Sequence, residues 1–181
     1  MKLKTKIVRT SMKDVDLQEI IDVSGMYPLK IRNVYVFGSR VYGTATEHSD
    51  YDIQIVGMSM LPKDEIKSSK YNIHIHAHDV FKEDLFNYTP KNVECLLAPK
   101  DCILQEKMNF GFELNKLKMV QEFMQSSYQS WRHAKYKTNQ GDFYRGRKGI
   151  FHALRILAFG IQLKESGKIE DWSIVNFMKL K

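Results

Sequence analysis

The chain of 181 residues is 43% hydrophobic and 12% aromatic, enough to bury a core as one domain or as a small domain with a helical appendage. Its 28 Lys and Arg against 21 Asp and Glu leave a net +7 and a pI near 9.3, which favours an anionic partner such as a nucleotide or nucleic acid. No apolar run approaches the ~18–20 residues of a bilayer span and no signal-type stretch follows the first six residues, so a cytoplasmic location with no membrane partner is expected. Cys95 and Cys102 lie in apolar stretches and read as reduced core residues.

In chain order, residues 14–23 place Val15, Leu17, Ile20, Ile21 and Val23 in a helical pattern that ends before Gly25. Ile31 to Phe37 is rich in Val, Tyr and Ile and apolar on both faces beyond Asn33, which predicts a buried central strand stopping at Gly38. Past the polar, turn-like stretch Thr44 to Ser49, the segment Tyr51 to Val56 alternates, with Asp52 and Gln54 on one face and Ile53 and Ile55 on the other. A linker around Pro62 leads to a third strand, Tyr71 to His78, with Asn72, His74, His76 and His78 on one face. Asp79 is the expected cap of a helix over Val80 to Tyr88, and Thr89-Pro90 opens another because proline suits the first helical position. Asp101 to Gln105 adds a short edge strand.

From about Phe112 the spacing becomes helical, with Leu114, Leu117, Val120, Met124, Tyr128 and Trp131 three or four apart on one long helix. A second long helix runs from about Tyr144 to Glu165, its apolar stripe Ile150, Leu154, Leu157 and Ile161 packing inward and Gly167 stopping it. Trp172, Val175 and Phe177 are assigned to a short terminal helix. The fold class is therefore α+β: a small mixed sheet flanked by helices over residues 1–107, then a helical region over 108–181.

The stretch Val36 to Ile53 carries the chemistry. Gly38 permits close backbone approach at the end of a strand, and Ser39 offers a hydroxyl beside the N–H groups of an expected helix start, a combination that suits a phosphate. Asp50 and Asp52 are one residue apart on extended chain, so both carboxylates project from one face. Like charges so placed repel unless a cation sits between them, and Mg²⁺ or Mn²⁺ held by carboxylates and substrate phosphates fits. Most isolated Asp-x-Asp sequences are polar turns entering a strand; the preceding strand and Gly-Ser turn argue against that reading here.

Gly38-Ser39, ten intervening residues and Asp50-Tyr51-Asp52 together resemble the signature of the polymerase-beta nucleotidyltransferase superfamily, and most of all the uncharacterised bacterial and phage predicted nucleotidyltransferases. The similarity continues more weakly through the third strand, Phe81, Glu94 and the late helix. It implies transfer of a nucleoside monophosphate from a nucleoside triphosphate to a hydroxyl on an acceptor that RNA, protein or a small molecule can supply. Gly38 and Ser39 would hold the triphosphate, while Asp50 and Asp52 would bind the Mg²⁺ or Mn²⁺ of a two-metal displacement. Arg40 would add charge near the phosphates, although a surface ion pair is an equally ordinary use for it.

The resemblance breaks at the third carboxylate. Aligning Phe81 puts that position at Asn72, which cannot accept a proton; its carbonyl oxygen can still ligate a metal weakly, and His74 on the same face can serve as base with an ordinary pKa of ~6.5. The alternative is a catalytically impaired nucleotide-binding, RNA-binding or regulatory copy of the fold. His74, His76 and His78 cannot all reach one ion at ~2.1 Å when same-face neighbours on a strand are ~6.5–7 Å apart, so one is expected near the site and the others at the surface or in contact with a partner.

On the late helix Lys148, His152 and Arg155 recur at spacings of four and three, like the helix that closes one side of the nucleotide cleft in the predicted family. Lys148 would contact the triphosphate; a solvated face is an equal reading for His152 and Arg155. Lys135, Tyr136, Lys137, Tyr144 and Arg145 interleave aromatics with cations, as RNA-binding surfaces do, or else the tyrosines anchor the loop between the helices.

Overall fold

Five strands form one mixed sheet in the order β3-β4-β2-β1-β5: β1 Ile31–Phe37, β2 Tyr51–Gly57, β3 Asp64–Lys67, β4 Tyr71–Ala77 and β5 Ile103–Glu106. The structure is a computed structural model that describes residues 12–58 and 64–174. β1 runs antiparallel to β2 and β5, β4 runs antiparallel to β3, and the central pair β2 and β4 is parallel. The strands expected at 31–37, 51–56 and 71–78 are β1, β2 and β4, and Val34, Val36, Ile53, Ile55 and Ile73 are fully buried.

Residues 64–67 form the edge strand β3, where the sequence pattern had suggested a linker. Four residues with one apolar member, Ile66, leave no alternation to detect; pairing with β4 makes the strand. Ser68 closes the hairpin, its Oγ accepting from Tyr71 N at 2.9 Å and its own N–H donating to Tyr71 O at 2.8 Å.

α1, Leu17–Ser24, begins later than residue 14 because the Asp16 carboxylate accepts from Gln18 N at 2.7 Å and caps the first turn. Gly25, in the left-handed region at φ 65°, ends it. Glu19 ties α1 to β4 by accepting from Tyr71 OH at 2.8 Å and from Lys70 Nζ at 2.5 Å. α2, His78–Phe86, takes its first residue from the stretch expected to finish the third strand, and stops two residues short of Tyr88. Tyr88 stands at φ 55°, a conformation costing a non-glycine residue about 1–2 kcal/mol. Its ring hydroxyl is anchored, accepting from Asn115 N at 2.7 Å and donating to Glu113 O at 3.0 Å. α3 spans Pro90–Leu96, as the Thr-Pro opening predicted.

Two compact units are distinguished: Met1–Glu83 with Glu94–Phe110, and Asp84–Val93 with Gly111–Lys181. The first holds the sheet, where Tyr35 stacks on Phe81 at 6.0 Å and Phe81 meets Phe110 at 5.1 Å with the rings tilted by 42°. The second is dominated by an antiparallel hairpin of α4, Lys116–Asn139, and α5, Phe143–Ser166. Asn115 caps α4 and Asp142 caps α5, each accepting from the N–H three residues on, and Gly167 at φ 76° ends α5.

The hairpin's interior differs from the expected one. Its seam is made of small residues: a Cβ on Gly149 would lie 2.8 Å from Ala134 Cβ, one on Gly160 would lie 3.3 Å from Phe123 Cβ, and Ser127 Oγ donates to Ala153 O at 2.9 Å. Such close approach puts Met119, Phe123, Ser127 and Ala134 inside with Ala153, Ile156, Phe159 and Leu163. The predicted stripes point elsewhere, and Leu117, Met124, Tyr128, Trp131, Ile150, Leu157 and Ile161 are exposed. Trp172 lies in a turn, packed at 5.2 Å on Phe159; Val175 and Phe177 fall outside the described residues. Among the described residues no helix is long and apolar enough to cross a membrane.

Candidate active site

β1 ends at Phe37, whose cross-strand partner on β2 is Asp52. The next residue, Gly38, stands at φ +82°, and a Cβ built there would fall 2.1 Å from Asp52 Oδ2 and 2.8 Å from its Cγ. Only glycine lets the backbone lie this close to the carboxylate, so the turn and the acidic side chain form one packed contact. Gly38 O then accepts from Val41 N at 3.0 Å and Tyr42 N at 3.2 Å, and Ser39 O from Thr44 N at 2.9 Å and Ala45 N at 3.2 Å. These bonds fold residues 39–43 into successive turns. No helix starts after Ser39, and Gly43 at φ +69° carries the chain away instead; whatever the turn offers an anion comes from local N–H groups and the half-buried Ser39 hydroxyl, without a helix dipole.

Arg40 holds the loop that delivers Asp50. Its Nη2 donates to Ser49 O, its Nε donates to Asp50 O at 3.3 Å, and its guanidinium lies 3.9 Å from the centroid of the Tyr51 ring. Tyr42 anchors the same loop from the other end by donating to Glu94 Oε2, a buried carboxylate. Between these anchors Asp50 is exposed and Asp52 half-buried.

The parallel register sets Asp52 beside Asn72 and Gln54 beside His74. Asn72 Nδ2 donates to Asp52 Oδ1 at 3.2 Å and also lies 3.2 Å from His74 Nε2. With the amide as donor, His74 Nε2 is the acceptor and its proton sits on Nδ1. The His74 ring packs against Phe37, centroids 5.5 Å apart. Asn72 Oδ1 is buried and has no hydrogen-bond partner among the described residues, a costly arrangement for a polar atom unless something else satisfies it.

These groups suit a hard divalent cation. Two carboxylates and an unsatisfied amide oxygen are the oxygen donors that Mg²⁺ or Mn²⁺ takes. Among the described residues no three His, Cys, Asp or Glu side chains cluster as a metal site; the residue beside Asp52 in the parallel register is the amide Asn72.

β3 adds two residues that the sequence pattern left in a linker. Glu65 opposes His74 and Lys67 opposes Asn72. Lys67 Nζ lies 3.3 Å from Glu65 Oε1 and is the main reason the Glu65 carboxyl is held below its ordinary range; the charge of His74 and the Asn72 amide act in the same direction. The alternating charges of Glu65 and Lys67 around Ile66 were the one available signal.

The three histidines part company. His74 stays at the site, His76 is 2% exposed and belongs to the interior, and His78 leaves the strand to begin α2. His76 is therefore not the surface residue expected. In the second unit α5 presents Lys148 and His152 exposed and Arg155 buried. The His152 imidazole is pushed down to about 4, first by crowding that strips its hydration and then by the charges of Arg155 and Lys148. More than a third of the residue is open to water, and that remaining hydration opposes the depression.

The nucleotidyltransferase domain family matches residues 19–122, more than half of the chain. The chain belongs to that family. The matched span of this nucleotidyltransferase domain takes in Gly38, Ser39, Asp50, Asp52, Asn72 and His74 together. No curated protein matches it. Among solved structures it is similar to a nucleotidyltransferase-like protein from Exiguobacterium sibiricum 255-15, at 13% identity, with a TM-score of 0.35 and 90% of this chain covered. The chain spans 61% of that structure's length, and a likeness this distant carries no weight for fold or function.

Proposed function

We propose that this nucleotidyltransferase domain moves a nucleoside monophosphate from a nucleoside triphosphate to an acceptor hydroxyl. The observation that carries the reading is the contact of Gly38 with the Asp52 carboxylate, which supports a triphosphate on the Gly38-Ser39 turn with its reacting phosphorus beside the acids. Asp50 and Asp52, with the Asn72 amide oxygen, would hold Mg²⁺ or Mn²⁺; when bound, the ions supply charge neutralisation on the phosphates and a more acidic acceptor hydroxyl.

The protein's own part is positioning and proton removal. Arg40 fixes the backbone on both sides of Asp50, so this carboxylate is delivered without its own hydrogen bonds being spent. If Asn72 turned its amide oxygen to the cation, the N–H that now reaches His74 Nε2 would be withdrawn, and the freed Nε2 would take the acceptor's proton, the role for which Asn72 has no basic group. On α5, the exposed Lys148 and His152 are proposed as an anion-contacting face, Arg155 being buried.

A second reading, nucleotide binding without turnover, is favoured by one observation: the Asn72 amide occupies Asp52 Oδ1, where a family acid would repel it. Incubation with each α-labelled triphosphate, Mg²⁺ or Mn²⁺ and hydroxyl acceptors separates the two. Label transfer by the native protein that disappears in Asp50→Asn with Asp52→Asn supports the enzyme; triphosphate binding with no transfer under any combination supports the second reading.

A further inference from the structure

The α4–α5 hairpin carries a surface that the transferase site does not use. Residues 116–166 hold ten of the chain's 28 Lys and Arg but three of its 21 Asp and Glu, so the hairpin bears +7 and the other residues balance at 18 of each. Its outer face is also aromatic. Tyr128 and Trp131 are 57% and 45% exposed and stack on each other with centroids 5.9 Å apart and planes 27° apart. Arg132 lies 5.9 Å from the Tyr128 centroid and Lys135 lies 5.7 Å from that of Trp131, a ladder produced by spacings of three and four. Tyr136 stands next to it, also exposed.

The ladder lies roughly 100° round α4 from the small-residue seam at 3.6 residues per turn. The exposed stripe of α5, which includes Ile150, lies about as far round its own helix in the same rotational sense. On an antiparallel pair those two rotations lead to the same side, so the apolar positions of both helices border one face. Phe123 and Phe159 fill the hairpin's interior and Gly149 meets Ala134 there, while Tyr128 and Trp131 stay outside.

We infer that this face binds single-stranded nucleic acid, bases stacking on Tyr128 and Trp131 while Arg132 and Lys135 hold the flanking phosphates. Charge complementarity decides between occupants. A second copy would bring +7 against +7, whereas a polynucleotide offers one negative charge per residue and flat rings with π-faces. A duplex keeps its base faces covered and can use only the cations. Binding stands by itself; its reading as delivery of the acceptor strand rests on the transfer proposed above.

Fluorescence anisotropy tests it, with labelled twelve-nucleotide oligo(U), oligo(A) and oligo(dT) and a twelve-base-pair duplex, on protein carrying Asp50→Asn and Asp52→Asn so that turnover plays no part. Tyr128→Ala with Trp131→Ala is expected to weaken the single strands at least ~10-fold, since stacking contributes about 1–3 kcal/mol per base, and to leave the duplex unchanged. Trp131→Phe keeps a ring and should retain most of the affinity, which guards against misfolding of the double variant. Arg132→Gln with Lys135→Gln should weaken every anion and lower the salt slope by roughly 1.4. Equal affinity for duplex and single strand, or indifference to the aromatic variant, overturns the inference in favour of a general polyanion surface. No binding, with sedimentation as a dimer that Tyr128→Ala and Trp131→Ala disperse, overturns it in favour of a protein contact. Loss of label transfer leaves these readouts untouched, so the two proposals fail separately.

Discussion

In the sheet unit large side chains fill the interior; in the helical hairpin small ones share it with Met119, Phe123, Phe159 and Leu163. Val34, Ile53 and Ile73 fill the sheet's core and leave a polar rim at Asp52, Asn72 and His74, whereas Ala134, Ala153 and Gly160 line the hairpin's seam and send Tyr128, Trp131 and Ile161 to its surface. Both units nevertheless depend on glycines at which a Cβ has no room. In the sheet unit Gly38 makes contact with a chemical group, and in the hairpin Gly149 makes contact with another helix. The difference teaches that close approach can serve a site in one unit and set an inside and an outside in the other.

Gly38→Ala is the most severe way to break that comparison. The new methyl must displace the Asp52 carboxylate and the backbone must keep φ +82°, so label transfer is expected to fall by about 100-fold, the order of loss that a 1 Å misplacement can cause. Trp131 and Trp172 both lie in the hairpin unit, so their fluorescence during urea unfolding should change little, and a large change would show that the two contacts are not independent. Gly149→Val is the reciprocal variant. Its side chain meets Ala134 at the seam, and the same urea curves should show a loss of about 1–3 kcal/mol, as overpacked interiors do, with transfer by the remaining folded protein retained.

Asn72→Asp sharpens the sheet half. If the absent acid limits turnover, the substitution restores it and raises the rate by about 10-fold, a fraction of the roughly 100-fold or more that full general-base help supplies; an unchanged rate leaves the proton with His74. The smallest effect belongs to His152. Its folded pKa is depressed below the ordinary ~6.5, so below that value the unfolded chain binds the proton more readily than the folded one does. Its contribution to stability is therefore complete above pH ~6.5 and is lost as pH falls toward about 4. His152→Gln should flatten the slope of the urea midpoint over that window, and an unaltered slope would assign the acid sensitivity elsewhere.

The backbone frame of the candidate site was legible in the sequence. The Gly38 turn and the spacing of Asp50 and Asp52 depend on local backbone geometry, β1 announces itself as an apolar run, and β2 and β4 announce themselves by alternation. What escaped was non-local. β3 is four residues long and exists by pairing with β4, so Glu65 and Lys67 gave no periodic signal. The turns after Ser39 form because Gly38 O and Ser39 O each take two N–H groups, a choice no propensity encodes. Helical spacing located α4 and α5 to within a few residues yet named the wrong stripe as interior, since the hydrophobic pattern cannot tell a seam of glycine and alanine from a solvated face. Likewise His76 and His78 alternate with His74 in sequence, but helix α2 begins before the alternation ends.

The contact between Gly38 and Asp52 has a thermodynamic consequence. A backbone and a carboxylate that touch with no atom to spare cannot shift separately, so the turn proposed for the triphosphate and the acid proposed for the cation share one set of coordinates. Two ligands held by such a unit are linked: the factor by which a cation tightens triphosphate binding must equal the factor by which triphosphate tightens the cation. Calorimetric titrations in either order would then close the same cycle, and the methyl of Gly38→Ala would weaken both binding steps and the coupling between them.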